Sequence, residues 1–188
     1  NSITGIVGIT GAGKSSFINL IIGFFSPSSG VVISDLSPIN KNNVSNWQKK
    51  ISIVPQNVML LDDTIENNIA FNNFKDKKKL DFCIELVCLE ELVKEFDQKE
   101  DSFVGENGKR ISGGQRQRIG IARAIYRDTN ILILDESFNS LDDQTKTIIK
   151  GNLKKLKKTI IMITHDRGEH LFFDSMLIIE NKKIIKIK

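Results

Sequence analysis

Three groups of residues in this chain have the types and spacing to do chemistry. The first is Gly8-Ile9-Thr10-Gly11-Ala12-Gly13-Lys14-Ser15-Ser16, which fits G-x-x-x-x-G-K-[ST], a loop that wraps nucleotide phosphates. Its glycines let the backbone approach an anion without a Cβ in the way. The amide N–H groups then converge on the phosphates, helped by the positive end of the following helix. Lys14 supplies a mobile point charge for the β- and γ-phosphates, and the Ser15 hydroxyl is placed to ligate Mg²⁺. The plainer reading is a glycine-rich turn with a surface lysine. It loses because apolar Ile6-Val7 enters the loop and an apolar-periodic run, Phe17, Ile18, Leu20 and Ile21, leaves it.

The second group is Asp135-Glu136, at the end of the apolar run Ile131-Leu132-Ile133-Leu134. Strands of α/β proteins end where ligands bind. There one carboxylate can hold Mg²⁺ and the next can polarise an attacking water. The third is Ser112-Gly113-Gly114-Gln115. Read plainly, Ser112 is the N-cap of an ordinary helix, and for the cap itself that reading stands. A helix start with a serine and two glycines is also a second anion site. A chain this short does not obviously bring both anion sites onto one nucleotide.

The elements that must position these groups follow from periodicity and punctuation. Gly23 ends the helix that leaves the first loop, since glycine tolerates the left-handed C′ position. Val31-Val32-Ile33 reads as a short strand, a short helix lies around Trp47, and Ile51-Ser52-Ile53-Val54 is a strand stopped by Pro55-Gln56. From about Asp62 to Tyr126 the spacing is mainly helical, with Asp63 or Thr64 as one cap. Thr159-Ile160-Ile161-Met162-Ile163, like the run before Asp135, is apolar throughout, as strands buried on both faces are. A helix from about Gln144 to Leu156 separates those two strands. Met176–Ile179 and Ile184–Ile187 form a hairpin around Asn181-Lys182.

These elements predict an α/β fold of the P-loop NTPase type, a mainly parallel sheet flanked by helices with an inserted helical subdomain. The expected division is a nucleotide-binding core at 1–61 and 121–188, with a helical segment at 62–120 between them.

Composition sets the remaining bounds. The 188 residues are 40% hydrophobic and 27% charged, with a formal net charge of +4, an ordinary globular balance that can bury one core. The lysine runs at 77–79 and 154–158 have no aromatics interleaved, so they read as solvated helix faces and no nucleic-acid partner is expected. Cys83 and Cys88 are the only cysteines. Five apart on an expected helix, they share no face and suit no metal, and are expected as two buried, reduced thiols. No apolar run approaches the roughly 20 residues that cross a bilayer, so any membrane-spanning part lies elsewhere.

The order of phosphate loop, Gln56, Ser112–Gln115, Asp135-Glu136 and His165 resembles the nucleotide-binding domain of ATP-binding-cassette (ABC) transporters, over nearly the whole chain. The resemblance implies that Gln56 ligates Mg²⁺ and senses the attacking water. Asp135 joins Ser15 and Gln56 on the metal, and Glu136 is the catalytic glutamate. Ser137 to Asp142 form the loop that crosses between subunits, and His165 contacts the γ-phosphate. A lone histidine is more often a packed core residue, but the place of His165 after a parallel strand, in motif order, favours the site. His170 lacks that support and reads as structural.

The family also answers the question posed by two anion sites. Two domains sandwich two ATP molecules head to tail, so Ser112–Gln115 of one faces Lys14 of the other. The partners implied are a second nucleotide-binding domain, identical or not, and a transmembrane domain, expected in the same polypeptide at the cytoplasmic face of a membrane. Val54–Asn57 with Leu61–Ile69, and Val104–Gly108, resemble segments of the exporter branch.

Several positions depart from the family pattern. Ile111 replaces a leucine, a nearly volume-conserving swap. Phe138 and Asn139 stand where small or hydroxylated residues are usual, and Asp166 where exporters commonly have arginine. The antiparallel stretch that precedes the phosphate loop in the family, with its adenine-stacking aromatic, is not found, and Trp47 and Tyr126 lie at the wrong places to replace it. The chain therefore reads as part of a longer polypeptide. The leading expectation is an ATPase that powers export. The alternatives are a soluble ABC-type ATPase acting in DNA repair, chromosome organisation or translation, and a regulatory module that binds nucleotide without hydrolysing it. The transported substrate is not encoded in these residues.

Overall fold

A computed structural model describes residues 1–71, 75–97, 103–166, 168 and 171–186. The strands are β1 (Ile3–Val7), β2 (Ile33–Ser34), β3 (Ser37–Pro38), β4 (Ile51–Val54), β5 (Ile131–Asp135), β6 (Thr159–Thr164), β7 (Ser175–Glu180) and β8 (Lys183–Lys186). The α-helices are α1 (Lys14–Ile22), α2 (Val44–Gln48), α3 (Ile65–Ala70), α4 (Lys77–Leu86), α5 (Glu90–Asp97), α6 (Gly113–Tyr126) and α7 (Asp143–Lys155). The chain divides into two compact units. One comprises residues 1–53, 129–135 and 158–188, and the other residues 54–128 and 136–157.

The first unit is built on a six-stranded sheet in the order β4-β5-β6-β1-β7-β8. The neighbours β5–β6, β6–β1 and β1–β7 of this sheet run parallel, and its terminal hairpin β7–β8 is antiparallel. Apolar side chains leave both faces of the central strands, so both must be covered. Ile6, Ile133, Ile163 and Ile179 from the sheet pack with Ile18 and Ile22 of α1 and with Ile51, all nearly inaccessible to water. The strand β1 passes so close to Phe173 that a Cβ on Gly5 would lie 2.5 Å from its ring. This is the expected fold class, a mainly parallel α/β sheet of the P-loop type.

In the second unit α6 packs against α3 and α4. Asn68, fully buried on α3, organises that contact. Its Oδ1 accepts from Leu61 N (2.9 Å) and Arg123 Nη2 (3.2 Å), while its Nδ2 donates to the carbonyls of Leu61 (3.0 Å) and Thr64 (3.0 Å). A buried amide satisfied at both ends fixes a unique packing. Arg123 Nε also donates to Asn68 O at 2.8 Å, and burial lowers the pKa of its guanidinium. Thr64 caps α3 by accepting from Asn67 N at 3.1 Å.

Two local expectations are corrected. The strand expected at Val31–Ile33 lies two residues later, as the short antiparallel pair β2–β3. Asp35 (φ 47°) and Leu36 (φ 66°) close it as a two-residue turn with both residues left-handed. Cys88 is neither helical nor fully buried. It sits at φ 57° just beyond α4, where Cys88 N donates to Glu85 O and Leu89 N to Ile84 O, both at 3.0 Å. That pairing is the Schellman stop, usually built on glycine. Cys83 is buried, and neither cysteine is in a disulfide. The terminal hairpin holds as expected through residue 186. Ile187 lies outside the described residues, as does His170, for which a structural role is expected.

Candidate functional site

The phosphate loop bridges β1 and α1 in the first unit. Gly11 (φ 80°) and Gly13 (φ 103°) adopt the left-handed conformation that the loop's curl demands. Gly8 is required for a different reason: a Cβ there would stand 2.7 Å from the carbonyl oxygen of Ile179. Gly13, preceding α1, offers no side-chain cap to the first-turn amides. Those amides therefore suit an anion. Lys14 is 7% exposed and curls back over the loop, with Nζ donating to Gly8 O (2.7 Å) and Ile9 O (3.2 Å). Ser15, beside it, is exposed.

The register of the sheet brings three parts of the expected site to one edge. Val7 of β1 pairs with Thr164 of β6, and Asp135 of β5 with Ile163. The phosphate loop, Asp135 and His165 thus all leave the sheet at the carboxyl ends of parallel strands, where α/β folds bind ligands. His165 is exposed, and the turn after it is fixed by Asp166 N donating to Thr164 Oγ1 at 3.0 Å.

In the second unit Glu136 takes a left-handed backbone (φ 48°), uncommon for a residue with a side chain. Its Oε2 accepts from Gln56 Nε2 at 3.2 Å and from Asn139 Nδ2 at 3.1 Å. The carbonyl of Gln56 accepts in turn from Gln117 Nε2 of α6 at 2.5 Å, which ties the Gln56 segment to the helix that Ser112 opens.

That helix begins with a reciprocal capping box. Ser112 Oγ accepts from Gln115 N (3.2 Å), and Gln115 Oε1 accepts from Ser112 N (2.9 Å). Its first turn rests on the 137–142 segment: a Cβ on Gly114 would be 2.7 Å from Ser140 O, whereas one on Gly113 would meet only ordinary contacts. Asp142 caps α7 by accepting from Thr145 N at 2.9 Å, and that backbone hydrogen bond lowers its carboxyl pKa.

The expected residues therefore divide between the units. Residues 8–16, Asp135 and His165 belong to the first, and Gln56, Glu136, Ser112–Gln115 and Asp142 to the second. Among the described residues no group of three or more His, Cys, Asp or Glu side chains could hold a metal by itself. Magnesium needs no such cage, being held by one or two protein oxygens with phosphate and water completing the octahedron. Ser15 and Asp135 in the first unit are hard oxygen donors of the kind that ion takes, and the Gln56 amide in the second unit carries an oxygen of the same kind.

Sequence reasoning did not reach Gln117, Asn68 or Arg123. All three are polar residues on amphipathic helices, indistinguishable by periodicity from solvent-facing ones.

A parallel sheet bearing a phosphate loop, with acidic and imidazole side chains at the same edge, defines a nucleotide-binding α/β protein. A family model described as "ABC transporter" matches residues 1–139, and the chain belongs to that family. Among curated proteins it is similar to the ATP-dependent lipid A-core flippases of Burkholderia orbicola (34% identity over 183 residues) and Blochmanniella pennsylvanica (37% over 185), each match covering 96% of this chain. The chain spans 31% and 32% of those proteins, about a third of their length. Among solved structures it is similar to a bacterial Atm1-family ABC exporter with ATP bound, with a TM-score of 0.88 and 28% identity, covering 98% of this chain and 33% of that one. No described helix is long and apolar enough to cross a membrane.

Proposed function

We propose that this chain is the ATP-binding and ATP-hydrolysing domain of an exporter, working at the cytoplasmic face of a membrane beside a transmembrane domain in the same polypeptide. The observation that carries this reading is the common sheet edge at which the phosphate loop, Asp135 and His165 emerge. In this reading Gly8 to Ser16 hold the phosphates, with Lys14 turning from the carbonyls of Gly8 and Ile9 to the β- and γ-phosphates. Ser15, Asp135 and Gln56 would hold Mg²⁺, which would supply neutralisation of the charge on the phosphates.

Glu136 accepts a proton from water as the water oxygen bonds to the γ-phosphorus. The bond to the bridging oxygen breaks, and ADP and inorganic phosphate leave. His165 contacts the γ-phosphate. The tip Ser112–Gln115 and the 137–142 segment with Asp142 serve the ATP held by a second domain, arranged head to tail. ATP closes that pair and product release reopens it. The relatives named as lipid A-core flippases support an amphiphilic lipid as cargo.

The test is Glu136→Gln in the full-length protein. ATP binding should persist while phosphate release falls at least about a hundredfold. Hydrolysis at the unaltered rate would contradict the assignment.

A further inference from the structure

Glu136 is gripped from within its own turn. Asn139 N donates to Glu136 O at 3.3 Å, closing the turn, while Asn139 Nδ2 reaches Glu136 Oε2. The two intervening residues anchor it. Ser137, 1% exposed, donates through Oγ to Val54 O at 3.2 Å, and Phe138 is buried with Lys150 Nζ 5.6 Å from its ring centroid. With 137 and 138 held inward, Glu136 and Asn139 are left to meet side chain to side chain.

Gln56 reaches the same carboxylate oxygen from a segment eighty residues away. The hold of Asn139, by contrast, comes from within the turn itself. A glutamate has three side-chain torsions, and two amide donors on one oxygen remove much of that freedom.

We propose that Asn139 is a positioning residue, which orients the Glu136 carboxylate for its work on water. This rests on the reading of Glu136 as the catalytic carboxylate. An aliphatic residue of the same size at 139 removes the donor. An aspartate keeps the shape but turns the donor into an acceptor facing a like charge.

The experiment measures steady-state hydrolysis and ATP affinity of the full-length protein in membranes, for Asn139→Leu, Asn139→Asp and Glu136→Gln. Both Asn139 variants should lose about tenfold in kcat, as small misplacements of a catalytic group do. Their KM, Kd and binding stoichiometry for ATP should stay unchanged, a combination that general damage to the domain would not give. Unaltered kcat in Asn139→Leu, with Glu136→Gln inactive, would overturn the role of Asn139 alone. A fall in kcat matched by lost ATP affinity in both variants would also overturn it. Continued hydrolysis by Glu136→Gln would overturn the reading beneath it as well.

Discussion

The carbonyl oxygen of Ser140 lies 2.7 Å from the point a Cβ on Gly114 would occupy, so the first turn of α6 and the 137–142 segment meet backbone to backbone. The neighbouring glycine is not so confined, since a Cβ on Gly113 would find Ser140 side-chain atoms no nearer than 3.7 Å. Gly114→Ala must push two backbones apart and should cost about 1–3 kcal/mol in unfolding free energy. Gly113→Ala should be neutral or slightly stabilising, because alanine favours helix. Thermal or denaturant unfolding of the two variants checks this. Equal stability would show that the contact is not tight.

Lys14 makes its hydrogen bonds to the carbonyls of its own loop. Removing the ammonium should therefore weaken ATP binding directly. Lys14→Ala is expected to raise the Kd for ATP about tenfold or more, the scale of one lost charge-assisted hydrogen bond. Nucleotide titration measures it, and unchanged affinity would remove Lys14 from the phosphate site.

Asp142 gives a pH signature. Its carboxyl pKa is lowered, first by the hydrogen bond from Thr145 N. The charged form is thus favoured in the folded chain, and its stabilising share is fully present above the ordinary aspartate value of about 4. That share is lost as pH falls through the lowered folded value. Asp142→Asn still caps α7 but carries no charge. The Tm advantage of aspartate over asparagine should hold from neutral pH down to about pH 5 and shrink below about pH 4. A difference independent of pH would place the effect elsewhere.

The most legible residues in the sequence were those whose chemistry depends on backbone conformation. Gly11 and Gly13 announce a left-handed curl because glycine adopts it at no steric cost. Ser112 announces an N-cap, which the structure contains as one half of a capping box with Gln115. The apolar runs ending at Asp135 and Ile163 announce buried parallel strands, and these put Asp135 and His165 at the edge where the phosphate loop begins.

Illegible features were those in which an ordinary residue takes an uncommon conformation. Leu36 and Cys88 hold positive φ without being glycine, so the β2–β3 turn and the stop after α4 carry no sequence signal. Glu136 is a third case. Its left-handed backbone is part of the turn that Asn139 closes, and nothing in the letters Glu-Ser-Phe-Asn foretells a carboxylate–amide bond across it. Asn68 was hidden by its polarity, which suggests solvent when the side chain is fully buried.

The head-to-tail arrangement is tested most directly by disulfide cross-linking between two differently marked copies of the full-length protein. One carries Ser112→Cys and the other Ile9→Cys, both with Glu136→Gln and with Cys83 and Cys88 replaced. If each copy lends its Ser112 tip to the ATP held by the other, ATP with Mg²⁺ should bring the two new thiols together, giving a bond between copies that is absent without nucleotide. Cross-linking that ignores ATP, or no bond between the copies with ATP present, would contradict it.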